Sequence, residues 1–294
     1  MSDCSAPSGI ETRVVRVGSR QIHLAECGRG APVLMLHGGG PGASGLSNYS
    51  RNIHALARHF RVLVPDMPGY GQSTKGVDAA DPFGDLAGAM IGLLDALDIE
   101  KAHVVGNSLG GACALRMALD RPERIDRLVL MGPGGIGLSR SGPTEGLKRL
   151  LGYYAGAGPT LEKLRTFILH DLVYDASQVP ESLIDERFRL SVDPEVVANP
   201  PLPGPVADPR KIDLLLDARL GQIRIPTLAL WGTEDKVNPA SGGALLQEHM
   251  ALCDLYLFSR TGHWVQWERA DEFNAVATTF LAQRTQDADR RTAA

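Results

Sequence analysis

Cysteine is scarce in this sequence. Four thiols (Cys4, Cys27, Cys113 and Cys253) are scattered through 294 residues, with no C-x-x-C pair. A disulfide framework or zinc finger therefore has no support, and a reduced, cytoplasmic setting is the default expectation. No apolar run approaches the ~20 residues that span a bilayer, so no membrane association is expected. A block of Lys and Arg is also missing, and the formal charge is −4. Phosphate binding needs a concentrated basic face, so a nucleic-acid partner is not expected. The opening Met1-Ser2-Asp3-Cys4 lacks the basic start and apolar stretch of a signal peptide. No paired His, Cys or carboxylate spacing resembles a metal site, and neither metal nor cofactor is expected. What remains is ordinary for a globular chain, 44% apolar and 22% charged, and long enough to bury a sizeable core.

The apolar residues are arranged in short runs. Residues 12–17 and 20–26 flank Gly18-Ser19 and read as an opening hairpin. Further runs lie at 33–36, 62–64, 103–105, 128–131, 227–231 and 255–258, each bounded by turn residues. Such short continuous runs suit strands buried on both faces of a parallel sheet. Helical patterns alternate with them. In residues 85–98, Leu86, Met90, Leu93, Leu94 and Leu97 form one apolar stripe. Residues 109–119, 239–249 and 271–281 also read as helices. Strand–helix alternation predicts an α/β fold, a mostly parallel eight-stranded sheet with helices on both faces.

Residues 137–220 break this rhythm. They hold helix-like segments at 160–171 and 180–192, no strong strand, and the run Asn199-Pro200-Pro201-Leu202-Pro203-Gly204-Pro205, which cannot be regular helix. Amphipathic segments need something to pack against, which favours a helical cap over a plain surface excursion. The expected division is a core of residues 1–136 and 221–294 with a cap of residues 137–220. The tail from Gln283 is polar and expected to fray.

One pentapeptide carries chemistry. Gly106-Asn107-Ser108-Leu109-Gly110 fits G-x-S-x-G, directly after a strand pattern and before a helix pattern. A serine in that turn projects its hydroxyl over the sheet edge, and close approach of strand and helix demands small neighbours. A serine hydroxyl needs a base, and the base an orienting acid. In this arrangement the chain order is Ser, acid, His. Asp235 follows the strand pattern at 227–231, with Glu234 as the competing acid. Of eight histidines, only His263 lies downstream in a loop after a strand, with Gly262 before it. His249 ends a helix pattern, where it can meet terminal carbonyls. An oxyanion needs aimed donors. The Leu109 N–H is one, and Gly39 or Gly40 of His37-Gly38-Gly39-Gly40-Pro41-Gly42 supplies the other.

Together these residues resemble the α/β-hydrolase superfamily and, within it, the hydrolases of meta-cleavage products, which break a carbon–carbon bond in ring-opened aromatic compounds. The resemblance rests on residues 36–44, on Ser47-Asn48-Tyr49 with Arg51-Asn52-Ile53, and on Gly106 to Gly111. It rests also on Met131-Gly132-Pro133-Gly134-Gly135 and on Gly262-His263-Trp264-Val265-Gln266-Trp267-Glu268 with Asp271-Glu272-Phe273-Asn274. It implies a small-molecule substrate, a 2-hydroxy-6-oxo-dienoate, cleaved to a 2-hydroxydienoate and a carboxylic acid by Ser108, His263 and Asp235. By matching position, Gly40, Asn48, Asn107, Arg187 and Trp264 would bind the dienoate end, Arg187 pairing with its carboxylate. Gly39 and Leu109 would supply oxyanion amides. Relatives are often dimers or larger, so a homo-oligomer is expected. On residue type alone, Arg187 in Asp185-Glu186-Arg187-Phe188 reads as a solvated helix arginine, Trp264 as a core ring, and Asn107 as a backbone-bonding amide. Leu46 stands where the family often has tryptophan, and the proline-rich run is unlike the family's cap. Biaryl, mono-aryl, alkyl and steroid-derived substrates all stay open. A carboxylesterase, a prolyl aminopeptidase and a non-catalytic small-molecule receptor on the same fold are the alternatives.

Overall fold

The structure is a computed structural model that describes residues 9–202 and 206–283. Met1 to Cys4, the tail beyond 283, and Pro203 to Pro205 of the proline-rich run lie outside the described residues.

All eight expected strands form, in one sheet of order β1-β2-β4-β3-β5-β6-β7-β8. They are β1 (Glu11–Val17), β2 (Arg20–Cys27), β3 (Pro32–Leu36), β4 (Arg61–Pro65), β5 (Ala102–Asn107), β6 (Ile125–Met131), β7 (Thr227–Gly232) and β8 (Cys253–Phe258). Strand β2 runs antiparallel to both its neighbours, β1 and β4, and the remaining pairings are parallel. Alternate residues of the central strands enter two different apolar layers. Leu34, Leu36, Val104, Leu128 and Leu130 join one; Val33, Met35, Val105, Val129 and Met131 join the other. That is the double burial expected of a parallel sheet with both faces covered. Strand β8 departs from it. It forms the sheet's outer edge, and Tyr256 and Leu257 are 38% and 49% exposed. Its apolar run resembles that of a central strand, but an edge strand has only one neighbour to cover it.

The helices are α1 (Gly45–Tyr49), α2 (Ile53–Leu56), α3 (Pro82–Ala96), α4 (Leu109–Asp120), α5 (Leu138–Ser141), α6 (Glu145–Leu151), α7 (Leu161–Thr166), α8 (Glu181–Ser191), α9 (Pro194–Ala198), α10 (Ser241–His249), α11 (Val265–Glu268) and α12 (Ala270–Leu281). Helix α3 begins at Pro82, with Asp81 capping Gly84 N–H, and buries Leu86, Met90, Leu93 and Leu94 of the expected stripe. Between β6 and β7 the described elements are all helical, and α7 continues as a π-helical stretch over Phe167–Leu172. These segments bury Leu150, Tyr153, Phe167, Leu172 and Ile184 together with Trp264 and Trp267. His249 Nδ1 donates to the Leu245 carbonyl at 2.7 Å, as a histidine ending a helix can.

Strand order places the site. After β3 the chain first adds β4 on one side, then returns to add β5 on the other. The loops leaving β3 and β5 therefore diverge from adjacent strands, which opens a crevice at their carboxyl ends. Leu36 pairs with Gly106, so both loops depart at the same level.

Candidate active site

Ser108 occupies the turn between β5 and α4 with φ 53° and ψ −114°. Few side chains accept that conformation, and the surrounding bonds hold it. Ser108 N–H donates to the Met131 carbonyl, and the Ser108 carbonyl accepts from Ala112 and Gly134 N–H, each at 2.9 Å. A Cβ on Gly106 would lie 2.3 Å from the Gly110 carbonyl oxygen, and one on Gly110 would lie 2.1 Å from that of Leu36. Both outer glycines of G-x-S-x-G are thus required by backbone contact. Leu109 opens α4, so its N–H is one of the orphan donors at a helix start.

Asp235 and His263 leave adjacent strands, β7 and β8. His263 Nδ1 donates to Asp235 Oδ2 at 2.7 Å, and both side chains are buried. Asp235 Oδ1 accepts from Val237 and Asn238 N–H, each at 2.8 Å. These bonds fix the carboxylate and leave His263 Nε2 as the open ring nitrogen. It is buried without a hydrogen-bond partner and lines one compartment with Ser108. Glu234, the competing acid, is exposed. Asp235 is the carboxylate that meets the imidazole.

The glycine loop after β3 closes this compartment. A Cβ on Gly39 would come within 3.1 Å of the Leu109 side chain, and one on Gly40 within 2.4 Å of an Arg187 guanidinium nitrogen. Gly39 thus neighbours the Leu109 turn, while Gly40 lies against Arg187. Gly42 has φ 64°, and a Cβ there would sit 1.8 Å from the Arg187 carbonyl oxygen. The loop needs glycine at this point because α8 packs directly on its backbone. His37 fixes the loop's root, with Nδ1 donating to the Gly38 carbonyl at 2.8 Å and Nε2 accepting from Met67 N–H at 2.9 Å. Tyr70 OH donates to the Gly39 carbonyl at 3.1 Å. His37 lies inside the glycine-loop motif, which does not mark its supporting task, and Tyr70, in a plain turn after β4, is marked by no motif.

Arg187 is not the solvated residue its helix context suggests. It is 2% exposed, and among the described residues no carboxylate pairs with it. Its Nε donates to the Pro41 carbonyl at 3.1 Å. Burial pulls its guanidinium down to about 10, opposed by the Tyr70 and Tyr153 hydroxyls nearby. A buried cation without a counter-ion is costly and marks a place for an anion. Trp264 is buried beside it, and Trp264 Nε1 donates to Asn48 Oδ1 at 2.9 Å. Asn48 Nδ2 is buried with no partner. Asn107 Nδ2 reaches the Met131 and His263 carbonyls at 3.2 and 3.5 Å, the backbone-bonding role its residue type suggests. Gly39, Gly40, Asn48, Asn107, Ser108, Arg187, His263 and Trp264 all line this one polar compartment.

Ser108 also borders a second, apolar cavity of ≈ 510 Å³. Its walls include Ile136, Leu138, Leu147, Leu151, Trp231 and Val237. Lys148 reaches its edge but pairs with Glu145 at 2.6 Å. The serine therefore stands where a cationic recess meets an apolar one. Among the described residues no three His, Cys, Asp or Glu side chains cluster as metal ligands would.

Comparison with known proteins agrees with this geometry. Residues 31–160 match the family model described as the alpha/beta hydrolase fold. The chain is 42% identical over 269 residues to a 2-hydroxy-6-oxo-6-phenylhexa-2,4-dienoate hydrolase of Burkholderia cepacia, covering 89% of this chain and 91% of that protein. It is 41% identical to a 2-hydroxy-6-oxononadienedioate/2-hydroxy-6-oxononatrienedioate hydrolase of Comamonas testosteroni, with the same coverage of 89% and 91%. Its structure superposes on a meta-cleavage product hydrolase from Pseudomonas fluorescens IP01 with a TM-score of 0.81 at 34% identity, covering 91% and 96% of the two chains. The chain belongs to the α/β-hydrolase superfamily and, within it, to the meta-cleavage product hydrolases.

Proposed function

We propose that this protein hydrolyses a carbon–carbon bond in a 2-hydroxy-6-oxo-dienoate, releasing a 2-hydroxydienoate and a carboxylic acid. The observation that carries the proposal is the buried Arg187 guanidinium, without a carboxylate partner, in the same compartment as Ser108 and His263. An ester of a simple alcohol has no use for that cation. A dienoate carboxylate does, through a bidentate contact.

In the proposed reaction, the carboxylate binds Arg187, with Asn48, Asn107, Gly40 and Trp264 forming the rest of the recess. Charge drawn toward that end favours ketonisation, which places a proton on the carbon that will leave. Ser108 Oγ attacks the distal ketone as His263 Nε2 takes its proton, and Asp235 steadies the imidazolium. The Gly39 and Leu109 N–H groups receive the oxyanion. The carbon–carbon bond then breaks, its electron pair passing into the departing dienolate, which takes the proton held on His263 and leaves the imidazole neutral again. Water, deprotonated by His263, releases the acid from Ser108. A serine-assisted water attack would use the same groups.

The apolar cavity supports an uncharged side group on the ketone. Among the described residues the one charged side chain on its wall is Lys148, already paired with Glu145, so a second carboxylate there would find no free cation. That favours a phenyl-type substrate, such as the one in the Burkholderia relative's name, over a dioate. Residues 137–220 serve in this reading as a cap whose helices supply much of the cavity wall. The same reading includes a cytoplasmic homo-oligomer.

A panel of ring-fission acids tests the proposal, since their conjugated dienolates are coloured and cleavage removes the colour. Aryl-substituted acids should show the highest kcat/KM, with the dioate and a simple aryl ester well below. Ester turnover far exceeding that of every acid would replace this reading with a carboxylesterase. Binding without turnover of any acid or ester would make the protein a receptor.

A further inference from the structure

Four planar groups form a chain of face contacts from the surface into the polar compartment. The Arg51 guanidinium carbon lies 4.1 Å from the centre of the Trp267 ring. Trp267 stacks on Trp264 with centroids 4.9 Å apart and planes 14° apart. The Arg187 guanidinium carbon lies 5.2 Å from the Trp264 ring centre. The outer end is anchored: Arg51 Nη1 donates to the Trp267 carbonyl at 2.9 Å and Nη2 to the Gln178 carbonyl at 3.1 Å. At the inner end, the bond from Trp264 Nε1 occupies Asn48 Oδ1 and leaves the buried Asn48 NH2 unpartnered at the compartment wall.

We propose that Trp267 and Arg51 are positioning residues for the carboxylate-binding recess, acting through Trp264 on both Arg187 and Asn48. The proposal rests on the reading that Arg187 receives the substrate's carboxylate. Neither residue touches substrate. Trp267 fixes the plane of Trp264. That plane sets the ring face presented to Arg187 and the direction of the indole N–H that orients Asn48. Arg187 has one hydrogen bond of its own, to the Pro41 carbonyl, so the orientation of its fork rests on packing against Gly40 and the Trp264 ring. Indole–cation contacts are strongest when desolvated, as here. Arg51 closes the outer face of Trp267 and ties it to the turn at Gln178. A purely structural Trp267 would affect every ligand equally; a positioning Trp267 affects only the charged end.

The test uses binding, with the ring-fission acid and its methyl ester titrated into full-length Ser108→Ala protein by the dienolate spectrum. The parent should bind the acid more tightly than the ester. Adding Trp267→Leu should weaken the acid about 10-fold while shifting the ester much less, so the acid-to-ester preference collapses. Adding Trp267→Phe should restore most of the preference. Arg51→Met, which keeps an apolar stem on the ring, should reduce the preference by about threefold and covers the case in which Trp267→Leu fails to fold. An equal loss for acid and ester, or an unchanged preference in folded Trp267→Leu and Arg51→Met proteins, overturns the inference. A parent protein that binds acid and ester alike overturns the reading of Arg187 itself, and the inference with it.

Discussion

His263 Nδ1 stands 2.7 Å from Asp235 Oδ2, with both side chains closed to solvent. The carboxylate can only accept, so it dictates which ring nitrogen carries the proton. Asp235→Asn should replace that acceptor with an amide that supports the wrong tautomer. The expected result is a fall in kcat of roughly 10³–10⁴-fold with little change in KM, measured by loss of dienolate colour. A fall below tenfold would remove Asp235 from the proposed role.

Ser108 combines a reactive position with a strained backbone, at φ 53°. Ser108→Ala should abolish turnover and keep substrate binding. Ser108→Gly should also abolish turnover, yet raise stability by about 1 kcal/mol over Ser108→Ala, because glycine adopts this conformation without cost. Denaturant melts of the two variants measure the difference.

Arg187 predicts an exchange of stability for function. Arg187→Met removes a buried, unpaired cation and fills the space with an apolar chain. Thermal melting should shift upward, while kcat/KM on ring-fission acids falls by about 100-fold, mostly through KM. A lower Tm would mean that the guanidinium stabilises the free protein.

The loop after β3 should loosen in mild acid. Both nitrogens of His37 are engaged in its neutral form, and burial holds its pKa below the ordinary 6.5. As pH falls below 6.5 the unfolded chain takes up a proton that folded His37 refuses. Its contribution is therefore full above 6.5 and is lost as pH drops toward the folded value, by at most about 1.4 kcal/mol per pH unit. His23, raised by its hydrogen bond to Asp66, works in the opposite direction. The difference in stability between wild type and His37→Gln, followed from pH 8 to pH 5, isolates the His37 share. A difference that stays flat over that range would contradict it.

The sheet was legible because β1 and β2 flank a two-residue turn and the other six strands are short apolar runs between turn residues, and G-x-S-x-G sits between a readable strand and a readable helix. Burial of β8 was not legible, because it depends on the order of strands and not on the run itself. Helices such as α1, α2 and α11 are too short to show periodicity. Arg187 shows the deeper limit. Its neighbours Asp185 and Glu186 give it the local pattern of a solvated face, and its burial comes from a loop 146 residues earlier. Only the family resemblance pointed to its site. The Trp267 and Arg51 contacts lay within that resemblance, but no spacing rule assigns them a task.

Ser108 lies on the boundary between two unlike recesses, and this separates what must stay constant from what is free to drift. The half proposed to grip the acid is built from the β3 loop, the serine turn and the histidine loop, with Arg187 reaching in from α8, and altering it should disturb the reaction. The oily half takes Leu138, Leu147 and Leu151 from the helices between β6 and β7. Exchanging those leucines for larger or smaller side chains should redirect the enzyme among ring-opened compounds of different girth while the bond-breaking apparatus stays as it is.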